Sequence, residues 1–301
     1  MEGLILILIV SLFFHGIVNK TKSILSGRKG PGILQPLKDI WRLMRKGSVF
    51  SETTTIISHI APSIYLSSVL MAVACIPFGD AKGLLSFPGD FVFFAYSLAL
   101  GKFFMIIAAM DTGSSFEGMG ASREAHFSML AEPAFFGVMG SLALFTGHTS
   151  FHDIFASLHF GNYVSYALSS IILTTLALLA LIENSRMPVD DPGTHLELTM
   201  IHEVTVLDYS GFDLGMILYS TNLKFAMYAA LMANLFIGSL SFFPEILIFL
   251  GTGVLFAMVV GGVESFMARF RMGRNPQFIF TLSSYALLVF LLAMFIIGKF
   301  S

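Results

Sequence analysis

Residues 244–274 read PEILIFLGTGVLFAMVVGGVESFMARFRMGR: an apolar run over 244–266, then Arg269, Arg271 and Arg274. The run is close to the ~20 residues an α-helix needs to cross ~30 Å of hydrocarbon. It is too long and continuous for a barrel strand, and backbone groups in lipid must be satisfied internally, so a helix is expected. Similar stretches cover roughly 2–19, 58–78, 91–110, 127–146, 164–184, 214–241 and 276–299. The pattern predicts an all-α, polytopic membrane protein with about eight transmembrane helices. Composition agrees. Hydrophobic residues make up 55% of the chain and charged residues 12%, with a mean hydropathy of +0.82, against about 25% charged residues in soluble domains. No polar linker interrupts the sequence, so residues 1–301 read as a single integral membrane domain.

The three arginines that end the quoted stretch belong to a chain-wide asymmetry. The link after the first apolar stretch holds Lys20, Lys22, Arg28, Lys29, Lys38, Arg42, Arg45 and Lys46, and alternate later links hold Arg123, Arg186 and Arg269 to Arg274. The opposite links and the tails hold only Lys82 and Lys299, while Lys102 and Lys224 fall inside apolar stretches. The positive-inside rule places the basic links in the cytoplasm and both termini outside the cytoplasm, in a multi-pass protein of the cell (inner) membrane. The basic residues flank lipid, and no nucleic-acid partner is expected. Glu2 stands where a cleaved leader would carry basic residues, and no small-x-small cleavage site follows, so the first stretch is expected to be retained.

The first basic link opens with Gly27-Arg28-Lys29-Gly30-Pro31-Gly32 and then turns helical in pattern. Leu37, Ile40, Trp41 and Met44 recur at three- and four-residue spacing, with basic residues on the other face. That predicts an amphipathic helix lying in the interface with Trp41 at headgroup level. A solvated basic loop that only sets topology is the alternative. Cys75 is the single cysteine. One thiol cannot hold an iron–sulfur cluster, a structural zinc or a nickel–iron centre, so redox metals are expected on other chains. His148, His152 and His159 with Asp153 read as loop polarity, and no internal repeat of transporter type is visible.

The cytoplasmic links carry the acids. Residues 183–213 hold Glu183, Asp190, Asp191, Glu197, Glu203, Asp208 and Asp213 against one base, Arg186. Pro188 and Pro192 are expected to end the fifth span, and His195 to Val206 can wind a short helix. Residues 111–126 read as a second cytoplasmic loop carrying Asp111, Glu117, Arg123 and Glu124. Lys102, Glu132, Glu183, Lys224 and Glu264 fall at or near membrane depth, where each charge costs at least ~2.5 kcal/mol on insertion scales. Glu132, just before Pro133, is expected to be buried and its pKa raised toward neutrality. The alternative is an ion pair with Lys102 or Lys224. Glu264 is expected to be neutralised by Arg269.

Three motifs resemble the respiratory complex I subunit 1 family. Arg28-Lys29-Gly30-Pro31-Gly32-Ile33-Leu34-Gln35-Pro36-Leu37-Lys38-Asp39 is similar to its first cytoplasmic loop, and Gly120-Ala121-Ser122-Arg123, with Glu132 nine residues on, to the next motif. Glu183-Asn184-Ser185-Arg186-Met187-Pro188-Val189-Asp190, with Glu197-Leu198 and Asp208-Tyr209-Ser210-Gly211, resembles the third. Gly193 and His195 stand where complex I members carry acids, and the run Thr199 to Leu207 is longer. Asp111-Thr112-Gly113-Ser114, His195 to Glu203 and Glu264 to Arg269 resemble the hydrogenase branch, that of formate hydrogenlyase and hydrogenase-4.

The resemblance implies a membrane-anchor and coupling subunit of an energy-converting [NiFe] hydrogenase complex with no redox centre of its own. Its implied partners are a hydrogenase large subunit and an iron–sulfur small subunit, which carry the [NiFe] centre and iron–sulfur clusters, and antiporter-like membrane subunits. Arg28, Pro31, Gln35, Asp39, Arg123 and Arg186 would serve docking. Glu132, Glu197, Glu183, Asp190, Asp191, Glu203 and Asp208 would carry protons. Two other readings stay open: a quinone-site subunit of a complex I-type NADH:quinone oxidoreductase, and a freestanding ion carrier without a redox partner.

Overall fold

The computed structural model describes residues 2–158, 163–191, 200–237 and 242–298. Among them are ten α-helices: α1 (Glu2–Leu25), α2 (Gln35–Leu43), α3 (Ile56–Cys75), α4 (Asp90–Asp111), α5 (Ser115–Thr146), α6 (Phe151–Ser157), α7 (Tyr163–Glu183), α8 (Gly211–Asn234), α9 (Phe242–Phe266) and α10 (Asn275–Ile296). Seven long helices are apolar enough to cross a membrane. The eighth expected span is α8, whose Asn222, Lys224 and Asn234 lower its apolarity. It stands inside the bundle, buried along almost its whole length and packed against α1, α3, α7 and α9. A helix surrounded by protein need not be apolar, because its neighbours and not lipid meet its polar groups. Asn234 donates to the Pro77 carbonyl at 2.9 Å, and Lys224 to the Glu183 carbonyl at 2.7 Å.

The loop expected over 111–126 is mostly helix. α5 runs for 32 residues, about 48 Å at 1.5 Å per residue, well beyond the hydrocarbon thickness. The excess is about 18 Å, roughly three turns, which matches the polar stretch 115–126 at its start. Asp111 ends α4 and accepts hydrogen bonds from Thr55 (backbone N–H, 2.7 Å; Oγ1, 2.8 Å) and Ser58 Oγ (2.6 Å), tying the end of α4 to the first turn of α3. The helix expected from His195 to Val206 falls partly outside the described residues. Its described part is a 3-10 turn, Glu203–Val206.

α2 lies along α8 and α1 as the apolar stripe demands. Ile40 turns inward and is buried, whereas Trp41 is 58% exposed with the Arg45 guanidinium 4.7 Å from its ring centroid. That is the interfacial arrangement expected of a Trp beside a basic face.

Gly120, from the second motif, marks where the projecting part of α5 meets the 3-10 turn. An added Cβ would collide with the Val204 side chain and press on Thr205 and the Ile201 carbonyl. Gly120→Val is expected to lift residues 200–209 off α5 at a cost of about 1–3 kcal/mol, read as faster amide hydrogen exchange in that segment alone. Wild-type protection would mean the close approach is not needed.

Candidate functional site

The chemistry gathers where α4, α7 and α8 meet residues 184–191 and 200–209. Lys102, twelve residues into α4 and buried, donates to Glu183 Oε1 at 2.6 Å and to Ser128 Oγ at 3.1 Å. Glu183 is the last residue of α7. Its side chain neutralises Lys102, and its carbonyl, one of the orphan acceptors at a helix C-terminus, accepts a hydrogen bond from Lys224 Nζ. Lys224 also lies 5.4 Å from the Tyr65 ring centroid. Two lysines and one buried carboxylate thus hold three helices together.

A second group sits at the ends of α1 and α9. Glu264 pairs with Lys22 at 2.9 Å and Arg186 at 3.1 Å. The expected partner, Arg269, goes to Asp190 instead, at 3.7 Å. Arg269 lies beyond the end of α9, and the chain there runs toward Pro188, whose carbonyl accepts from Phe270 N–H. Glu264 faces α1 and the Arg186 turn. Helical spacing could not reveal either partner, since both come from other segments.

Asp190 organises the loop. Its carboxylate accepts from the backbone N–H groups of Asp191 (2.9 Å), Ile201 (3.2 Å) and His202 (3.0 Å). Burial pushes its pKa above the usual carboxylate range, opposed by those hydrogen bonds and by Arg269. Arg123 donates to the Met200 carbonyl at 2.8 Å and so fixes the loop to α5. Glu117, fully buried, accepts from Asp208 N–H at 3.0 Å. Burial lowers the pKa of His202 to about 4, with Lys224 and Lys102 adding to the shift and Glu124 opposing it.

Two small voids flank Lys102. One of about 30 Å³ is lined by Glu132, Glu183 and Tyr228 among others, and one of about 10 Å³ by Glu124, Ser128 and Asp190. The larger holds room for a water and the smaller is at the limit for one. A third cavity of about 450 Å³ lies between α1, α2, α8 and the loop. Its walls include His15, Lys22, Asp39, Arg186, His202 and Glu203.

The sequence-selected acids thus separate. Glu183 and Asp190 join the buried network, Glu203 lines the cavity, Asp191 is half-buried, and the Asp208 side chain is exposed. Glu197 lies outside the described residues. Glu132 is not buried as expected. It is exposed on the flank of α5, beside the groove toward α4, and makes no ion pair with Lys102 or Lys224 among the described residues. The reason is rotational: Ser128 and Ala131 take the inward positions of that turn. Of the docking residues, Arg28 and Pro31 are exposed, Gln35 donates to Asp39 at 2.8 Å within α2, and Arg186 is buried in its ion pair. Sequence reasoning missed Lys22 as a partner for Glu264 and His202 as a buried imidazole.

A helical bundle with seven long apolar helices and charged groups buried between them defines a polytopic membrane protein. The chain belongs to the NADH dehydrogenase family, that of complex I subunit 1: residues 2–297 match the family described as NADH dehydrogenase. It is 31% identical to hydrogenase-4 component C of Escherichia coli (strain K12) over 238 residues, 77% of this chain and 73% of that protein. It is 27% identical to formate hydrogenlyase subunit 4 of the same organism over 306 residues, 96% of this chain and 95% of that protein. In fold it resembles a chain of the membrane-bound sulfane sulfur reductase, an archaeal respiratory membrane complex. That match has a TM-score of 0.80 at 18% identity and covers 97% of each chain.

Removing one partner of a buried pair leaves an uncompensated charge. Lys102→Met is expected to destabilise the bundle by about 3–5 kcal/mol, and adding Glu183→Gln to recover much of that loss, measured by thermal unfolding in detergent. Equal losses in single and double variants would show that the pair does not act as a unit. His202 supplies a pH signature. An unfolded imidazole takes up its proton near 6.5, ~2.5 units above the folded value of about 4. Protection of residues 200–209 should be full above that pH and fall as pH drops toward 4. His202→Gln should flatten this window in hydrogen exchange corrected for intrinsic pH effects, and an unchanged profile would remove His202 as the cause.

Proposed function

We propose that this chain is the membrane-anchor and coupling subunit of an energy-converting [NiFe] hydrogenase complex of the formate hydrogenlyase type. The observation that carries the proposal is the buried Lys102–Glu183 pair flanked by two small voids, one reaching Asp190 and Glu124 and the other reaching Glu132. In this reading the basic links face the cytoplasm and both termini lie outside it, in the cell membrane. The soluble arm sits on α2, the projecting part of α5 and the 184–209 segment. The hydrogenase large subunit and the iron–sulfur small subunit of that arm hold the [NiFe] centre and the clusters. This chain's one cysteine offers no ligand set for either.

A change of charge in the arm, seated over Asp190 and His202, alters the field on both. Their carboxyl and imidazole groups lie in a region of low dielectric, where such a field is weakly screened. Proton uptake or release at Asp190 then shifts the balance of the Lys102–Glu183 pair. A water in the larger void would relay that change to Glu132, and Glu132 to antiporter-like membrane subunits. Arg123 and Arg186 stay charged and hold the loop in register.

The quinone-site alternative would use the cavity of about 450 Å³ beneath α2. Its walls mix His15, Lys22, Arg186 and His202 with apolar Ile40, Val206, Ile217 and Leu218, so the lining does not separate the two readings. A quinone retained in the purified complex, or competition by quinone-site inhibitors, would favour the alternative.

In the assembled complex in proteoliposomes, Glu132→Gln is expected to leave assembly intact and to lower proton-linked turnover about tenfold or more. Wild-type coupled rates in the assembled variant would take that carboxylate out of the path. Reversing Arg42, Arg45 and Lys46 to Glu should reduce the soluble arm recovered with the membrane subunits, and undiminished co-purification would limit α2 to setting topology.

A further inference from the structure

α7 and α9 both pack on α8, and a cleft of about 640 Å³ opens between them with the buried Met232 of α8 at its back. It runs from Leu173 to Leu181 on α7 and from Gly251 to Val263 on α9. The α9 stretch is about 18 Å long at 1.5 Å per residue, close to the depth of one leaflet of a ~30 Å hydrocarbon core. Leu255 and Val259 on its rim are exposed. Its two hydroxyls are already used inside their own helices: Thr174 donates to the Ser170 carbonyl at 2.8 Å and Thr252 to the Ile248 carbonyl at 2.9 Å. The cleft therefore asks nothing polar of what fills it. One end is different. The link from α9 to α10 crosses the end of α7, where Phe270 N–H donates to the Pro188 carbonyl at 3.0 Å and Asn275 Nδ2 to the Val189 carbonyl at 3.1 Å. Leu181 and Val263 lie within one turn of the ends of their helices, so the link passes over that end of the cleft. It carries Arg271 and Arg274, both exposed and without an ion pair or side-chain hydrogen bond among the described residues.

We propose that this cleft binds an anionic phospholipid of the phosphatidylglycerol or cardiolipin class, with one acyl chain between α7 and α9 and the headgroup phosphate on Arg271 and Arg274. Size selects a chain over a helix. A helix with its side chains is at least ~10 Å across, so a length of ~18 Å displaces about 1,400 Å³, more than twice the volume of the cleft. A helix could lie across this cleft but not within it. A lone acyl chain is thin enough to enter and brings no polar group in need of a partner. Charge selects the headgroup. Two guanidiniums at the end of membrane-spanning helices attract phosphate, and each planar fork can hold two phosphate oxygens at once. In a zwitterionic lipid the headgroup's own cation offsets that attraction. The nearby acids do not cancel the two arginines: Glu264 is taken by Lys22 and Arg186, and Asp190 by Arg269 and three backbone N–H groups. The site does not depend on the hydrogenase reading. It ties the α9–α10 link to the membrane surface and, through Phe270 and Asn275, the turn at Pro188 and Val189 as well.

The test takes the full chain with the subunits that co-purify and relipidates it with phosphatidylglycerol or phosphatidylcholine carrying a diazirine in the middle of one acyl chain. After illumination, adducts are mapped by mass spectrometry. Labelling of the two cleft segments is scored against the exposed flank of α10 at Leu287 and Leu291. Phosphatidylglycerol is expected to label the cleft about 10–30-fold more than phosphatidylcholine, the preference that two basic groups near an anionic headgroup confer. Arg271→Gln with Arg274→Gln should bring phosphatidylglycerol down to the phosphatidylcholine level. Gly251→Trp, at a position where an added Cβ meets nothing within 4 Å, should reduce cleft labelling by both lipids and leave the α10 flank unchanged. Equal cleft labelling by the two lipids, an excess that survives the double arginine variant, or a cleft labelled as before in Gly251→Trp would each overturn the proposal. So would a cleft left unlabelled because another subunit covers it.

Discussion

The need to neutralise charge away from water shapes this bundle. Lys102 on α4, Glu183 at the end of α7 and Lys224 on α8 are buried together, and none could face acyl chains without a large cost. Hydrophobic burial cannot choose among helix rotations in lipid, since tails are as apolar as leucine side chains. The ionic contacts can. They turn the polar face of α8 inward and so make it the central pillar, with α1, α3, α7 and α9 packed around it.

The same requirement continues into the loop segments that follow α7. Arg186 and Lys22 neutralise Glu264, Arg269 approaches Asp190, and Asp190 in turn receives three backbone N–H groups of its own loop. Residues 200–202 are thereby tied back to Asp190, near the lysine–carboxylate pair. Arg186 and Lys22 hold Glu264 at the ends of α1 and α9, on the wall of the cavity beneath α2. Space for water borders Lys102–Glu183 on two sides.

Some of this was legible in residue order because it depends on local periodicity. The inward turn of Ile40 in α2 follows from three- and four-residue spacing, whereas Trp41, placed by that spacing on the same stripe, is exposed. The apolar runs mark the helices because their length matches the bilayer. The misreadings share a cause. α5 was expected to start near 127, yet it extends back to Ser115, because a glycine-bearing polar segment packed against another loop can remain helical. Arg269 looked like the natural partner of Glu264 by proximity in sequence, but the chain turns away after Phe266. Glu132 looked interior because its neighbours are apolar, and apolar neighbours are equally what a surface facing lipid or another helix carries.

Residue order by itself determined the helical class, the approximate spans, the sidedness of charge and the presence of acids at membrane depth. Each of these follows from solvent preference, which every residue expresses within a few positions of itself. Only the tertiary structure decided which charges meet. Ion pairs such as Lys102–Glu183 and Lys22–Glu264 join segments far apart in the chain, and helix rotation of one residue, about 100°, separates a buried carboxylate from one that looks outward, as Glu132 does.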